Sequence, residues 1–179
     1  CLRIATFGST LLALLACSED LPPPASAPPP PPPKSPPDLS DAIEKRVEGK
    51  TEEAIELLRK YNEEFPDSPE ILIQLGRSLH DSGQYALSAF RLEQALSAGA
   101  AKTLLKEVAQ AHEKAGDEKS ARKRYAEFLA DNPDDSQTWL AQARLLARAD
   151  MDTEALNAFG QAVELTNHED CLLMAELFF

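Results

Sequence analysis

The sequence predicts an all-α solenoid built from helix-turn-helix units, and three observations carry that prediction. Aligning the turns inside successive helix pairs gives Gly49, Gly83, Gly116 and Asp150, spaced by 34, 33 and 34 residues. A period of that size, carried through four units, marks a repeat architecture without a single central core. Apolar residues recur at helical spacing on both sides of the turns: Leu72, Leu75 and Leu79 before Gly83, then Leu92 and Ala95 after it. The next unit repeats the pattern with Leu105, Val108 and Ala109 before Gly116, and Ala121, Tyr125 and Phe128 after it. All 14 prolines fall outside the predicted helix interiors, where a ring lacking an N–H would break the hydrogen-bond ladder.

The first segment, residues 1–16, carries one positive charge at Arg3 and an apolar run from Ile4 to Ala16, followed by Cys17. This is the layout of a secretory signal peptide. As a helix the run reaches only about 20 Å, short of the roughly 30 Å hydrocarbon core, so it is not expected to span a membrane. Leu14-Leu15-Ala16-Cys17 resembles a bacterial lipobox, which implies lipidation of Cys17 and its exposure as the mature first residue. Cys1 then belongs to the discarded segment. Cleavage elsewhere, with Cys17 a bystander, and a short uncleaved anchor are the alternatives.

Residues 17–38 read as a spacer. From Pro22 to Pro37, 11 of 16 residues are proline, a composition that joins neither helix nor sheet and favours a disordered chain of polyproline II character. At about 3.1 Å per residue it would extend roughly 50 Å, enough to hold a domain away from a membrane surface. A ligand for proline-recognition modules is the competing reading.

The helical region, residues 39–179, opens at Asp38-Leu39-Ser40-Asp41, with acids where the helix dipole favours them. Antiparallel pairs are expected at about 39–48 with 51–64, 69–82 with 84–98, 101–114 with 118–131, and 136–148 with 152–166. Ser68 is placed to cap a helix beginning at Pro69, and Asp134, Asp135 and Ser136 to cap the one after Pro133. Short connections make neighbouring helices antiparallel, and stacking buries the faces each hairpin cannot bury alone.

These residues carry a resemblance to the tetratricopeptide repeat, a family of 34-residue helical hairpins that serve as binding scaffolds. The resemblance covers residues 39 to about 167, with repeats at about 35–68, 69–101, 102–135 and 136–169. Gly49, Ala54, Leu58, Tyr61 and Pro66 carry it in the first unit, and Trp139, Ala155, Phe159 and Ala162 in the fourth. Three positions depart from the pattern: Ser88 replaces a small alanine, His112 an aromatic and Asp150 the turn glycine. The family's packing logic implies that Leu72, Leu79, Tyr85, Leu92, Leu105, Tyr125, Trp139 and Phe159 fill the space between helices. It also implies that Gly76, Ala109 and Ala143 let helices approach closely. Residues 170–179, with Leu172, Leu173, Leu177 and Phe178, are expected to form a final helix that caps the fourth repeat. A partner-docking surface or a fifth repeat is the alternative.

Little in the chain points to catalysis. No nucleophile elbow, phosphate-binding glycine loop or zinc-protease motif occurs, so neither an enzyme, a cofactor nor a small-molecule substrate is expected. His168 and Cys171 could bring two ligands to a metal, but a structural zinc site needs four, and no metal is expected. Three unevenly placed cysteines make no disulfide framework. A net charge of −12 argues against nucleic acid, whose phosphates need a basic footprint. The one basic cluster, Lys119, Arg122, Lys123 and Arg124, falls on a second helix. It reads as a solvated convex face, with contact to acidic lipid or polymer as the alternative.

In this family binding usually takes place on the concave surface, lined by the first helix of each pair. The resemblance implies groove positions at Ile73, Gln74, Arg77 and Asp81, then Lys106, Gln110 and Glu113, then Leu140, Arg144 and Arg148. Arg77, Gln110 and Arg144 take the same position in successive repeats, and a row of donors there suits carboxylates or backbone carbonyls of an extended peptide. Ile73 and Arg77 stand where co-chaperone members have the first lysine and asparagine of a carboxylate clamp, so that clamp is absent. The expected function is a non-enzymatic scaffold that binds a protein or peptide and is held in a bacterial envelope by lipid on Cys17. The resemblance extends to pilotin-type and outer-membrane assembly lipoproteins, and Ser18 after Cys17 suits outer-membrane sorting. The alternative is an accessory subunit that recruits an envelope enzyme, for instance one of peptidoglycan metabolism.

Overall fold

A computed structural model describes residues 36–166. The expected signal peptide, the lipidation site Cys17, most of the proline-rich linker and the final helix at 170–179 lie outside the described residues.

Eight α-helices follow one another within that span, with no strand among the described residues: α1 Ser40–Val47, α2 Thr51–Glu64, α3 Pro69–Asp81, α4 Tyr85–Ser97, α5 Leu105–Lys114, α6 Glu118–Asp131, α7 Ser136–Arg148 and α8 Asp152–Glu164. Each odd-numbered helix packs on the even-numbered helix that follows it, and α2, α4 and α6 pack in turn on α3, α5 and α7. The apolar interior is correspondingly divided. Ala42, Ile55, Leu58, Ile71, Leu75 and Leu79 close α1–α3, and Leu72, Ala89, Leu92, Ala95, Val108 and Ala111 close α3–α5. Ala109, Ala121, Tyr125, Ala141 and Leu145 join α5–α7. A chain of small cores, each shared only between neighbours, is what makes a repeat protein quasi-one-dimensional.

The hairpin turns have one geometry. Gly49, Gly83 and Gly116 have φ of 80°, 78° and 82°, the left-handed region that glycine enters without a Cβ penalty. The residue after each closes a Schellman bond to a carbonyl five residues back: Lys50 N to Lys45 O, Gln84 N to Leu79 O and Asp117 N to His112 O, at 2.8–2.9 Å. Asp150 enters the same region at φ 56°, and Met151 N closes the equivalent bond to Leu146 O at 3.0 Å. The departure at this position therefore changes the residue and not the turn. Asp150→Gly should raise stability by about 0.5–1 kcal/mol, because left-handed strain of about 1–2 kcal/mol is relieved against glycine's larger unfolded-state entropy. The check is a higher urea midpoint at unchanged slope.

Helix starts agree with the sequence less uniformly. Asp135 caps α7, its Oδ1 accepting from Thr138 N at 2.9 Å, and Asp117 caps α6 by accepting from Ser120 N at 3.1 Å. Ser68 precedes Pro69 as expected, but its side chain makes no cap bond; the hydroxyl turns instead to the Glu70 carboxylate at 2.9 Å. The helix expected from residue 101 begins later, after a single 3-10 turn at Lys102–Leu104. Ala101 has no side-chain acceptor to offer there, and the tight Leu104 N to Ala101 O bond at 3.0 Å satisfies an otherwise orphaned amide.

The expected packing residues differ in depth. Leu72, Leu79, Leu92, Leu105 and Tyr125 are buried, whereas Tyr85, Trp139 and Phe159 are half-buried, the last two packed against the α7–α8 core of Ala143, Leu146, Ala155 and Ala158. Tyr85 lies edge-on to His80 with ring centroids 5.1 Å apart. Trp139 keeps its Nε1–H at the surface, where it donates to Pro133 O at 2.8 Å. An indole N–H needs such a partner, which draws the ring toward the helix start. His112 does not fill an apolar slot: its ring nitrogens lie 3.3 Å from Glu93 and from Asp117, bridging α4 to the α5–α6 turn. Ser88 does behave as a small core residue, fully buried, with no hydrogen-bond partner for its hydroxyl among the described residues.

Candidate functional site

First helices set one after another leave a channel along their free faces, with one cavity between α5 and α7. It has a volume of about 680 Å³ and is lined by Lys106, Gln110, Glu113 and Lys114 of α5, and by Gln137, Thr138, Leu140, Ala141, Arg144 and Arg148 of α7. His80 of α3 and Tyr125 of α6 complete the lining. A second hollow of about 280 Å³ continues along α3, with Arg46, Arg77, Asp81, Glu107 and Gln110. Helical spacing explains the set, since residues 106, 110 and 114 fall one turn apart on α5, and 140, 144 and 148 do so on α7.

The expected groove residues are thus brought together in part. Lys106, Gln110, Glu113, Leu140, Arg144 and Arg148 share the larger cavity; Arg77 and Asp81 line the smaller, and Gln110 borders both. Ile73 does not line either cavity; it packs against the α3–α5 core. Gln74 lines neither, and its side-chain carbonyl is buried. His80, Lys114 and Tyr125 are additions. The i, i+4 series from Lys106 through Gln110 would have found Lys114.

Ion pairs decide how many of these cations are free. Arg77 grips Glu107 with two hydrogen bonds, Nε to Oε2 at 2.8 Å and Nη2 to Oε1 at 2.7 Å. This fork-on-carboxylate geometry is the strong form of the contact, and the hydrogen bond raises the guanidinium pKa. Arg77 is therefore no open donor in a row with Gln110 and Arg144, because the next repeat supplies its carboxylate. Lys106 donates to Asp135 Oδ2 at 2.6 Å and sits 5.8 Å from the Phe128 ring centroid. Burial pushes the Asp135 carboxyl up, but the hydrogen bonds from Lys106 and Thr138 outweigh it and leave the pKa below its ordinary value. Arg46 reaches Asp81 at 2.9 Å, and Arg148 reaches Glu118 at 3.3 Å. Tyr125 donates its hydroxyl to Glu113 at 2.8 Å. Arg144 and Lys114 make no hydrogen bond or ion pair with the described residues, and Arg144 Nε is shielded from solvent without an acceptor.

The basic cluster on α6 is largely absorbed as well. Arg124 forks onto Glu93 at 2.8 and 2.6 Å and also reaches Glu127 at 2.6 Å. Lys123 lies 4.0 Å from Glu127, and Arg122 Nη1 lies 3.8 Å from Met151 Sδ. Among the described residues no group of three or more His, Cys, Asp or Glu side chains is placed to hold a metal ion. No described helix is long and apolar enough to cross a membrane.

Comparison with known proteins agrees with this architecture. Models of the tetratricopeptide repeat match residues 48–102 and 102–145. Among solved structures, YrrB, described as a TPR protein with an unusual peptide-binding site, superposes with a TM-score of 0.68 at 20% identity, covering 78% of this chain and 73% of its own. MamA from Desulfovibrio magneticus RS-1 gives 0.65 at 17% identity, over 71% of this chain and 72% of that one. A second MamA, of MSR-1, gives 0.65 at 22% identity, over 72% and 76%. No curated protein matches the sequence. With its turn geometry, its divided core and two adjoining family matches that run from residue 48 to residue 145, the chain is a tetratricopeptide-repeat protein.

Proposed function

We propose that this protein is a non-enzymatic scaffold lipoprotein, anchored through Cys17 on a proline-rich tether, that binds a protein partner in the bacterial envelope through the α5–α7 groove. The observation that carries the reading is the groove itself: about 680 Å³, formed by the helices that face away from the hairpin partners, with cations and amides over an apolar floor of Leu140 and Ala141. An extended peptide uses such a surface by pairing its main chain with the amides and its side chains with the pockets. The solved structure of YrrB, with its peptide-binding site, supports the same use of the fold. The lipobox-like Leu14-Leu15-Ala16-Cys17 and the 11 prolines from Pro22 to Pro37 support the anchor and its spacer. A role in assembling a secretin, pilus or outer-membrane complex is the setting we favour.

A photo-crosslinking amino acid placed at Gln110, exposed in the groove, and at Ala126, exposed on α6, tests the binding face in intact cells. One discrete protein adduct from Gln110 and none from Ala126 is expected. No adduct at Gln110, or the same adducts from both sites, overturns the reading. Secretin, pilus or barrel-assembly proteins as the adduct support the favoured setting, whereas a hydrolase or synthase replaces it with enzyme recruitment. Mass spectrometry of the mature N-terminus tests the anchor, which fails if the chain starts unmodified anywhere but Cys17.

A further inference from the structure

Every described α-helix but one shows at least one charged side chain among its exposed residues. The exception is α4, whose exposed residues are Ala86, Leu87, Phe90 and Ser97. Leu87 and Phe90 lie three residues apart, on one side of the helix, and are 48% and 55% exposed. In a chain of net charge −12, an uncharged strip carrying two large apolar side chains marks a contact surface and not an ordinary solvated face.

The strip runs into a cleft of about 550 Å³, lined by Leu72, Phe90, Gln94, Ser97 and Ala98, with Pro66 and Asp67 of the α2–α3 connection at its edge. Its second carboxylate, Glu93, is already gripped by Arg124. Arg91 is laid along the strip: its Nη1 donates to Gln94 Oε1 at 2.8 Å, and its guanidinium carbon lies 5.5 Å from the Phe90 ring centroid. Neither Leu87 nor Phe90 lines the α5–α7 cavity or the smaller one along α3.

We infer that the α4 strip is a two-fold interface, and that its occupant is α4 of a second copy of this chain. Two arguments select a copy. Chains of charge −12 repel one another, and pairing α4 on α4 sets uncharged side chains opposite one another while the acidic surface stays in solvent. The strip is also complementary to itself in register. Leu87 and Gln94 are seven residues apart, about two helical turns, and share a face. Antiparallel helices related by a two-fold between Phe90 and Arg91 set Leu87 of each copy over Gln94 of the other, at the mouth of the cleft. The exposed leucine of one copy thereby enters the hollow of the other, and the contact is made twice. The inference is independent of the peptide groove, which the strip does not touch; a dimer so formed presents that groove in duplicate.

Sedimentation equilibrium tests the interface, using the chain from residue 17 onward with Cys17→Ser, so that no lipid drives association, and with reductant present. A contact of one helix per copy is small, so a monomer–dimer equilibrium with a dissociation constant of about 1–100 µM is expected. Phe90→Glu and Leu87→Glu each place two carboxylates in the contact and should weaken the dimer about a hundredfold or more. Leu156→Glu, at a leucine 66% exposed on α8, should leave it unchanged. Raising the salt from about 0.05 M to about 0.5 M screens the repulsion between acidic copies and should tighten the dimer. A photo-crosslinking amino acid at Leu87 should join two copies, with the bond placed by fragment mass spectrometry between Phe90 and Ala98 of the second. The inference falls if the chain stays monomeric up to about 1 mM, if both α4 variants leave the dimer intact, or if Leu156→Glu weakens it as much as they do. It falls equally if salt loosens the dimer or if the crosslink lies away from the cleft. In intact cells, an adduct from Leu87 to a different protein in place of a second copy overturns it as well. None of these failures alters the crosslinking expected from Gln110, which tests the groove separately. Far-UV circular dichroism of each variant separates loss of association from loss of fold.

Discussion

Leu92→Ala should lower the unfolding free energy by about 2–5 kcal/mol, the range for pruning a buried leucine where the surroundings collapse only partly. Leu92 is 2% exposed and belongs to the core that joins α3 to α5, so its loss weakens two repeats at once. It also occupies the space above Gly76. A Cβ built on Gly76 would lie 2.6 Å from Leu92 Cδ2 and 2.7 Å from its Cγ. The branch point of a buried leucine cannot swing away as a free side-chain end would, so Gly76→Ala alone should cost about 1–2 kcal/mol, overpacking outweighing the roughly 1 kcal/mol that alanine gains in helix propensity. With Leu92 pruned, the added methyl meets no leucine branch and the propensity gain remains. The double variant should therefore be more stable than the sum of the single losses predicts, by more than about 1 kcal/mol. Urea unfolding of the four proteins followed by circular dichroism gives the cycle. Simple additivity would show that the Gly76–Leu92 approach does not limit the packing of α3 on α4.

Above about pH 10 the protein should lose stability faster than a Tyr125→Phe variant does. Burial of Tyr125 and, next, its hydrogen bond to Glu113 raise the phenol pKa above the ordinary tyrosine value. The sign follows from linkage. Below the unfolded-state pKa of about 10 both states hold the proton and the full stabilisation is present; above it the unfolded chain releases the proton while the folded chain keeps it. Each further pH unit then removes up to about 1.4 kcal/mol until the folded group also titrates. Tyr125→Phe abolishes this dependence and, at neutral pH, costs about 1 kcal/mol for the lost hydrogen bond. Comparing the two proteins cancels the lysines that titrate in the same range. Parallel slopes between pH 10 and 11 would show that Tyr125 is not held protonated by its surroundings.

Much of the fold was legible because it is decided locally. Turn position follows from glycine's access to positive φ, and even Asp150, which breaks the consensus, keeps the turn because a short acidic side chain tolerates that region. Capping was legible where an aspartate stood one residue before the helix, as at Asp135, and misleading at Ser68, where Glu70 offered the hydroxyl a charged acceptor. The aromatics were harder. Tyr125 and Trp139 both carry a polar handle, yet one is buried and the other half-buried, because Glu113 reaches the phenol inside the stack whereas the indole finds Pro133 O at the surface.

The groove shows the limit most clearly. From its own pattern the sequence determined the repeat and its helix-turn-helix units, since helical periodicity assigns side chains to faces with no knowledge of neighbours. The groove positions on α3, α5 and α7 were implied by the family resemblance, and of them Ile73 and Gln74 line neither cavity. Only the tertiary structure decided which groove cations are open. Arg77 and Arg144 occupy one position in the repeat, yet Arg77 is closed by Glu107, 30 residues ahead, while Arg144 meets no such acid among the described residues. That difference depends on the distance between side chains of separate helices, a few ångströms across a packed interface, and no spacing along the chain encodes it.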